Sequence, residues 1–183
     1  MVADTQLLFI SSQKFESGKA IRGAFLLTDT DTKPLEFRCT NPIRPTSLQT
    51  VLYGQMLQRH IMVELIGMPL VNSLKQQPSV VLVQDGDLLW LRPKLETPVI
   101  LLTKETSIAT EGDGVGNRTA MLSSNSGKFD PVVLVAHSQF GSDIGAVTPI
   151  LTQVFNRFDL GEPFQRIAAA LEQVHQQKIG EGK

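Results

Sequence analysis

Cysteine is almost missing from this chain: Cys39 stands alone among 183 residues. No internal disulfide can form, and there is no second thiol for a zinc site, which fits a reducing, cytoplasmic compartment. Charge of one sign is missing too. Lys and Arg number 17 against 18 Asp and Glu, a formal net charge of -1, so no global positive field draws a phosphate backbone, and composition gives no pointer to nucleic acid. Long apolar runs are absent. The stretches at Val80–Val83 and Val132–Ala136 are far short of the roughly 20 residues that span a bilayer. The opening MVADTQLLFISSQKF carries an acid at Asp4 and a brief apolar stretch, unlike the basic start and longer apolar core of a signal peptide.

What remains is the composition of an ordinary globular protein, 42% hydrophobic and 19% charged, with length for one well-buried core. Residues 6–10 and 20–28 favour strands, and a polar turn at 28–33 leads into a second arm at 34–40 that reads as a hairpin. There Leu35, Phe37 and Cys39 share one face, assigned to the core, and Glu36, Arg38 and Thr40 share the other. Thr46 and Gln49 form a capping-box pattern. It predicts a helix whose core face carries Leu48, Val51, Leu52, Met56, Leu57 and Ile61. Gly54 is expected to mark close packing, and Gly67 with Pro69 a break before a short helical piece ending near Leu74.

Two runs apolar on both faces, near 79–83 and 98–102, predict buried strands. Between them a short helix capped by Asp87 is preferred over an Asp-Gly hairpin. A third such strand at 131–137 leads to a helix burying Ile144, Val147, Leu151, Val154, Phe155 and Phe158. A last helix from Glu162-Pro163 buries Phe164, Ile167, Ala168, Leu171 and Val174. The fold class is therefore α/β (mixed α+β): a single domain with a mixed sheet, an N-terminal hairpin and flanking helices.

The segment EGDGVGNRTAMLSSNSGK, from Glu111 to Lys128, looks like a phosphate loop, because glycine-freed amides at a helix start bind anions. Its spacing fails that test. A Walker loop ending at Gly127-Lys128 would need glycine at Leu122 and a hydroxyl at Phe129; a dinucleotide fingerprint would need glycine or alanine at Asn117 or Thr119. Residues 104–129 thus read as a flexible insertion, with 179–183 a disordered tail.

Candidate chemistry falls in two places. His137 closes a strand ahead of Ser142 and Asp143, where a titrating imidazole at a strand end meets a helix start. The plain reading is that Ser142 or Asp143 caps the helix. Arg38 and Arg44, with Glu36 and Tyr53 nearby, could form a pocket for an acidic ligand or a partner's carboxylate; ion pairing of Glu36 with Arg38 or Arg22 is the plain alternative. His60 and His175 are expected at the surface, and no metal ligand set or cofactor is predicted.

Residues 34–54, PLEFRCTNPIRPTSLQTVLYG, and 157–177, RFDLGEPFQRIAAALEQVHQQ, resemble segments of a small uncharacterised bacterial protein family. The resemblance implies a bacterial, cytoplasmic setting and carries no activity or site residue.

The expected function is a non-enzymatic binding module for a protein partner or for self-association, with Trp90, Phe140 and Phe158 as candidate contact residues. The alternative is a hydrolase or transferase, or a regulatory ligand binder, for an acidic or phosphorylated substrate at 137–143. In that case His137 serves as base and Arg38 and Arg44 as anion clamps.

Overall fold

The computed structural model describes residues 4–104 and 118–180. Among these, strands β1 (Leu7–Phe15), β2 (Ala20–Thr28), β3 (Pro34–Cys39), β4 (Val80–Val83), β5 (Val99–Thr103), β6 (Thr119–Leu122) and β7 (Val132–Ala136) form one sheet in the order β3-β2-β1-β4-β5-β7-β6. The expected mixed α/β class with a single sheet is what the chain adopts. Its centre, β1, β4 and β5, is parallel, while β2 and β3 on one side and β7 and β6 on the other run antiparallel to their neighbours.

The doubly apolar runs are explained by two cores. Leu7, Phe9, Val80, Leu82, Ile100 and Leu102 face helices α4 (Asp143–Phe155) and α5 (Glu162–Gly180), meeting Val147, Leu151, Phe155, Phe164 and Leu171. The alternate residues Leu8, Ile10, Val81, Val83, Val99 and Leu101 face the other way, onto Ile61, Met62, Ile66, Leu88 and Leu91. Side chains alternate across a strand, so a strand buried on both sides must be apolar at every position.

The layer on that second face starts with α1 (Ser47–Tyr53), where the Thr46 and Gln49 capping box forms as expected. Leu48, Val51, Leu52 and Met56, however, are exposed. Gly54, at φ +51°, ends α1 in a backbone region that favours glycine, so the helical phase is reset there and the apolar stripe of α1 never reaches the sheet. A Cβ on Gly54 would touch nothing; the residue is required by conformation rather than by close packing. The buried stretch comes later, in α2 (Leu57–His60), a wider-wound turn at Ile61–Gly67 and α3 (Met68–Asn72). The chain passes Gly67 and Pro69 without the expected break, because Pro69 falls in the first turn of α3, where its missing amide hydrogen is not needed.

Elsewhere the structure refines the prediction. Residues Gly86–Lys94 are helical as preferred, but 3-10 in type and capped by Asp85, whose Oδ1 accepts from the Asp87 amide at 2.9 Å. Leu35 and Phe37 are 48% and 37% exposed on edge strand β3, and Cys39 is half-buried. Phe164, Ile167 and Leu171 are buried in α5, whereas Ala168 is exposed and Val174 half-buried. Of the proposed insertion, 105–117 lie outside the described residues, whereas Thr119–Leu122 is an ordered edge strand paired with β7. Of the proposed tail, 181–183 lie outside the described residues and α5 runs to Gly180. No helix among the described residues is long and apolar enough to cross a membrane.

Candidate functional site

The parallel strands β1, β4 and β5 all carry their apolar runs into polar residues at the same end. Ser11 follows Leu7–Ile10 on β1, Gln84 follows β4, and Thr103 and Lys104 follow Leu102 on β5. Together with Val132 they line a cleft of about 440 Å³ whose other wall is Asp159, Gly161, Phe164, Gln165 and Ala168, at the start of α5. Ser11 and Gln84 continue the alternation of Leu7 and Phe9, and of Val80 and Leu82, so their side chains face α5. A smaller recess at the same mouth adds Lys128, Phe129 and Asp130. Lys104 Nζ stands 3.9 Å from Asp130 Oδ2, both side chains mostly solvated. This is the carboxyl edge of the central strands, where open α/β sheets gather ligands. Ser11, Gln84, Lys104, Asp159 and Gln165 were not singled out in the sequence, although a polar residue closing each apolar run was the available signal, and Lys128 was met only in the rejected phosphate-loop spacing.

His137 sits at the other end of the sheet. It closes β7, which runs antiparallel to β5, so the rule about strand carboxyl ends pointed to the wrong edge. The imidazole is buried, with Nδ1 accepting from the Gln139 amide at 3.2 Å and Nε2 without a partner. Burial, and then the positive charges of Arg118 and Arg92, hold its pKa below the ordinary value. Trp90 meets it edge-on at 4.8 Å and Phe140 at 5.7 Å. Asp143 does not cap α4, and neither does Ser142, which makes no side-chain capping bond. Asp143 instead accepts from Arg92 Nε at 2.6 Å and Nη2 at 3.2 Å, while Arg92 Nη1 donates to the Leu95 carbonyl. Both side chains are largely buried. The pair ties α4 to the 3-10 helix and leaves neither group free to act.

The arginines do not converge on His137. Arg38 Nε donates to Glu36 at 2.7 Å on the outer strand, the plain ion pair. Arg44 makes a two-pronged pair with Glu16 at 2.7 and 3.0 Å, and this hydrogen bond holds the Glu16 carboxyl below its usual range and raises Arg44. Tyr53 stacks on His60 at 4.5 Å. Arg22, expected at most as a surface partner of Glu36, is 1% exposed. Its Nε donates to His175 Nδ1 at 3.1 Å and its Nη1 to the Thr40 carbonyl at 3.2 Å. His175 is therefore no surface residue; it stacks on Phe15 at 4.1 Å and locks the later turns of α5 to the sheet. Trp90, Phe140 and Phe158 form no common patch, since Phe158 packs against the core on the α4 and α5 side.

With the strand order, the covering helices and the cleft in place, the architecture can be set beside known proteins. It shares its fold with endonuclease V. The solved endonuclease V of Streptomyces avermitilis superposes with a TM-score of 0.58 at 13% identity, over 96% of this chain and 84% of that one. That of Bacillus subtilis gives 0.53 at 11%, over 95% and 82%, and the catalytic domain of human endonuclease V gives 0.52 at 12%, over 98% and 85%. No protein-family model and no curated protein matches the chain.

These likenesses correct two expectations drawn from the sequence. A non-enzymatic module for protein binding or self-association, with nothing pointing to nucleic acid, does not agree with an architecture shared along nearly the whole chain with endonucleases. A net charge of -1 describes the whole surface and says nothing of local groups such as Lys104 and Lys128, which share one mouth.

A nuclease reading implies divalent metal, held by clustered carboxylates in two-metal phosphodiester chemistry. The residues here do not fit that group. The cleft's carboxylate is Asp159, whose Oδ1 accepts from the Gly161 amide at 3.1 Å; Asp130 in the adjoining recess faces Lys104 at 3.9 Å, and Lys128 shares that mouth. Among the described residues, no group of three or more His, Cys, Asp or Glu is placed to hold a metal ion.

Proposed function

We propose that this chain takes a nucleic-acid strand as its ligand and holds it in the cleft at the carboxyl ends of β1, β4 and β5. One observation carries the reading: a cleft edged by Ser11, Gln84, Lys104 and Gln165 lies at the end of the central parallel strands in a sheet of endonuclease V architecture. A fold alone hosts many chemistries, so the weight rests on the site. Ser11, Gln84 and Gln165 bring hydroxyl and amide groups suited to phosphate and sugar oxygens, and Lys104 and Lys128 bring point charges. The single unpaired Cys39 supports a cytoplasmic address. The described residues suit strand binding better than metal-assisted cleavage, so no hydrolytic step is assigned to them.

The test is fluorescence anisotropy with labelled single-stranded and duplex DNA and RNA between 20 and 200 mM salt. Binding should weaken with salt, and Lys104→Glu should weaken it further while lowering the salt slope by about one. Denaturing gels of the same mixtures with magnesium or manganese read whether a bound strand is also cut. Failure of every oligonucleotide to bind at 20 mM salt would remove the proposal.

A further inference from the structure

On the opposite face of the sheet from the cleft, the helical stretch at 53–64 and the 3-10 helix Gly86–Lys94 enclose a second pocket of about 380 Å³. Its size is at the small end of ligand sites, which run from roughly 300 to 1,000 Å³. Two stacks already wall it. The Tyr53 ring lies on His60 with an interplanar angle of 28°, and the Arg59 guanidinium lies 4.2 Å over the Trp90 ring. Met56, Val63 and Pro93 fill the sides, and Lys94, Glu64 and Gln139 supply polar groups. Arg59 Nε is closed off from water and makes no hydrogen bond, its nearest acceptor being Asp87 Oδ1 in an ion pair at 3.5 Å.

Resting on the reading of a nucleic-acid ligand, we propose that this pocket receives an unstacked nucleobase of the bound strand. A base is flat, extends a stack on an aromatic ring or a guanidinium, and carries hydrogen-bonding groups along its edge for Gln139 and Lys94, which line the pocket. The adjoining phosphate has Arg59 and Lys94 within its reach. Their present partners are Asp87 at 3.5 Å, in a partly exposed pair, and Glu64 at 3.0 Å, in a more solvated one that is weak enough to exchange. An aliphatic ligand would leave both stacks unused.

Trp90 is the only tryptophan of the chain and is 42% exposed, so its emission reports on this pocket alone. The experiment titrates the full chain with a labelled single-stranded 12-mer, following anisotropy and Trp90 emission together. Emission should be quenched in step with binding. Tyr53→Leu should weaken affinity by roughly five- to hundredfold, the range of losing one base stack, and Tyr53→Phe should restore it. Circular dichroism shows that each variant is folded. If the strand binds by anisotropy while emission is unchanged and Tyr53→Leu has no effect, the pocket is not the base site and the cleft proposal stands. If no strand binds at low salt, both fall. If a free nucleotide quenches Trp90 but no strand does, a base carried by a strand is ruled out as the occupant.

Discussion

Gly23→Ala tests how the second layer is seated on the sheet. Gly23 lies on β2 opposite Ser12 of β1. A Cβ there would stand 2.1 Å from Ile66 Cγ2 and 3.2 Å from Ile66 Cβ, whereas carbon atoms rest at about 3.5–4.0 Å. Ile66 is fully buried, so a gap of well over an ångström must come from lifting the Ile61–Gly67 turn or from a strained rotamer. Such overpacking destabilises by about 1–3 kcal/mol. With a urea m value of about 2 kcal/mol/M, the midpoint should fall by roughly 0.5–1.5 M. Ile66→Ala alone leaves a cavity and costs about 2–5 kcal/mol, but it removes the colliding methyl. In the double variant the two losses should therefore sum to less than their separate values, by about 1 kcal/mol or more. Additive losses, or a Gly23→Ala midpoint equal to the parent's, would refute the claim that Ile66 rests directly on the β2 backbone.

Three further outcomes are expected. Asp143→Asn leaves the largely buried Arg92 without its counter-ion and should cost about 3 kcal/mol in urea unfolding, whereas Glu36→Gln, in the more exposed pair with Arg38, should change stability by less than about 1 kcal/mol. Burial, with the charges of Arg118 and Arg92, lowers the His137 pKa in the folded chain, while the unfolded chain binds a proton at that imidazole at about pH 6.5. The contribution of His137 to stability is therefore fully present above that pH and falls as pH drops below it, until the folded imidazole also protonates. Thermal midpoints measured from pH 8 to 5 should show a shallower fall for His137→Phe than for the parent. His175→Ala leaves the Arg22 Nε buried without its acceptor and should lower stability by about 2 kcal/mol, with the loss concentrated in α5 as read by hydrogen exchange.

The fold class was legible because its signals are local and periodic. Apolar residues at every position of Val80–Val83, Val99–Thr103 and Val132–Ala136, up to the half-buried Thr103, announce strands covered on both sides, and the Thr46 and Gln49 box marks a helix start. What was not legible depends on strand direction and on the phase of a helix past a turn. Whether β7 runs with β5 or against it decides which edge His137 occupies, and no residue of β7 states it. Leu48, Val51 and Leu52 have the spacing of a core stripe, yet a single positive-φ glycine turns them to solvent. Arg22 and His175 met across 153 positions, a pairing that neither residue's neighbours reveal. The cleft was missed for a related reason: Ser11, Gln84 and Lys104 are unremarkable alone and become a site only when three strands bring their ends together.

The most direct test of the central claim is photo-crosslinking of a 4-thiothymidine oligonucleotide to the full chain, with crosslinked peptides mapped by mass spectrometry. The account predicts crosslinks around Gln84, around Thr103 and Lys104, and within 161–168, all lost in excess unlabelled strand. Crosslinks confined to the outer strand around Arg38, or none at strand concentrations that saturate binding, would contradict it.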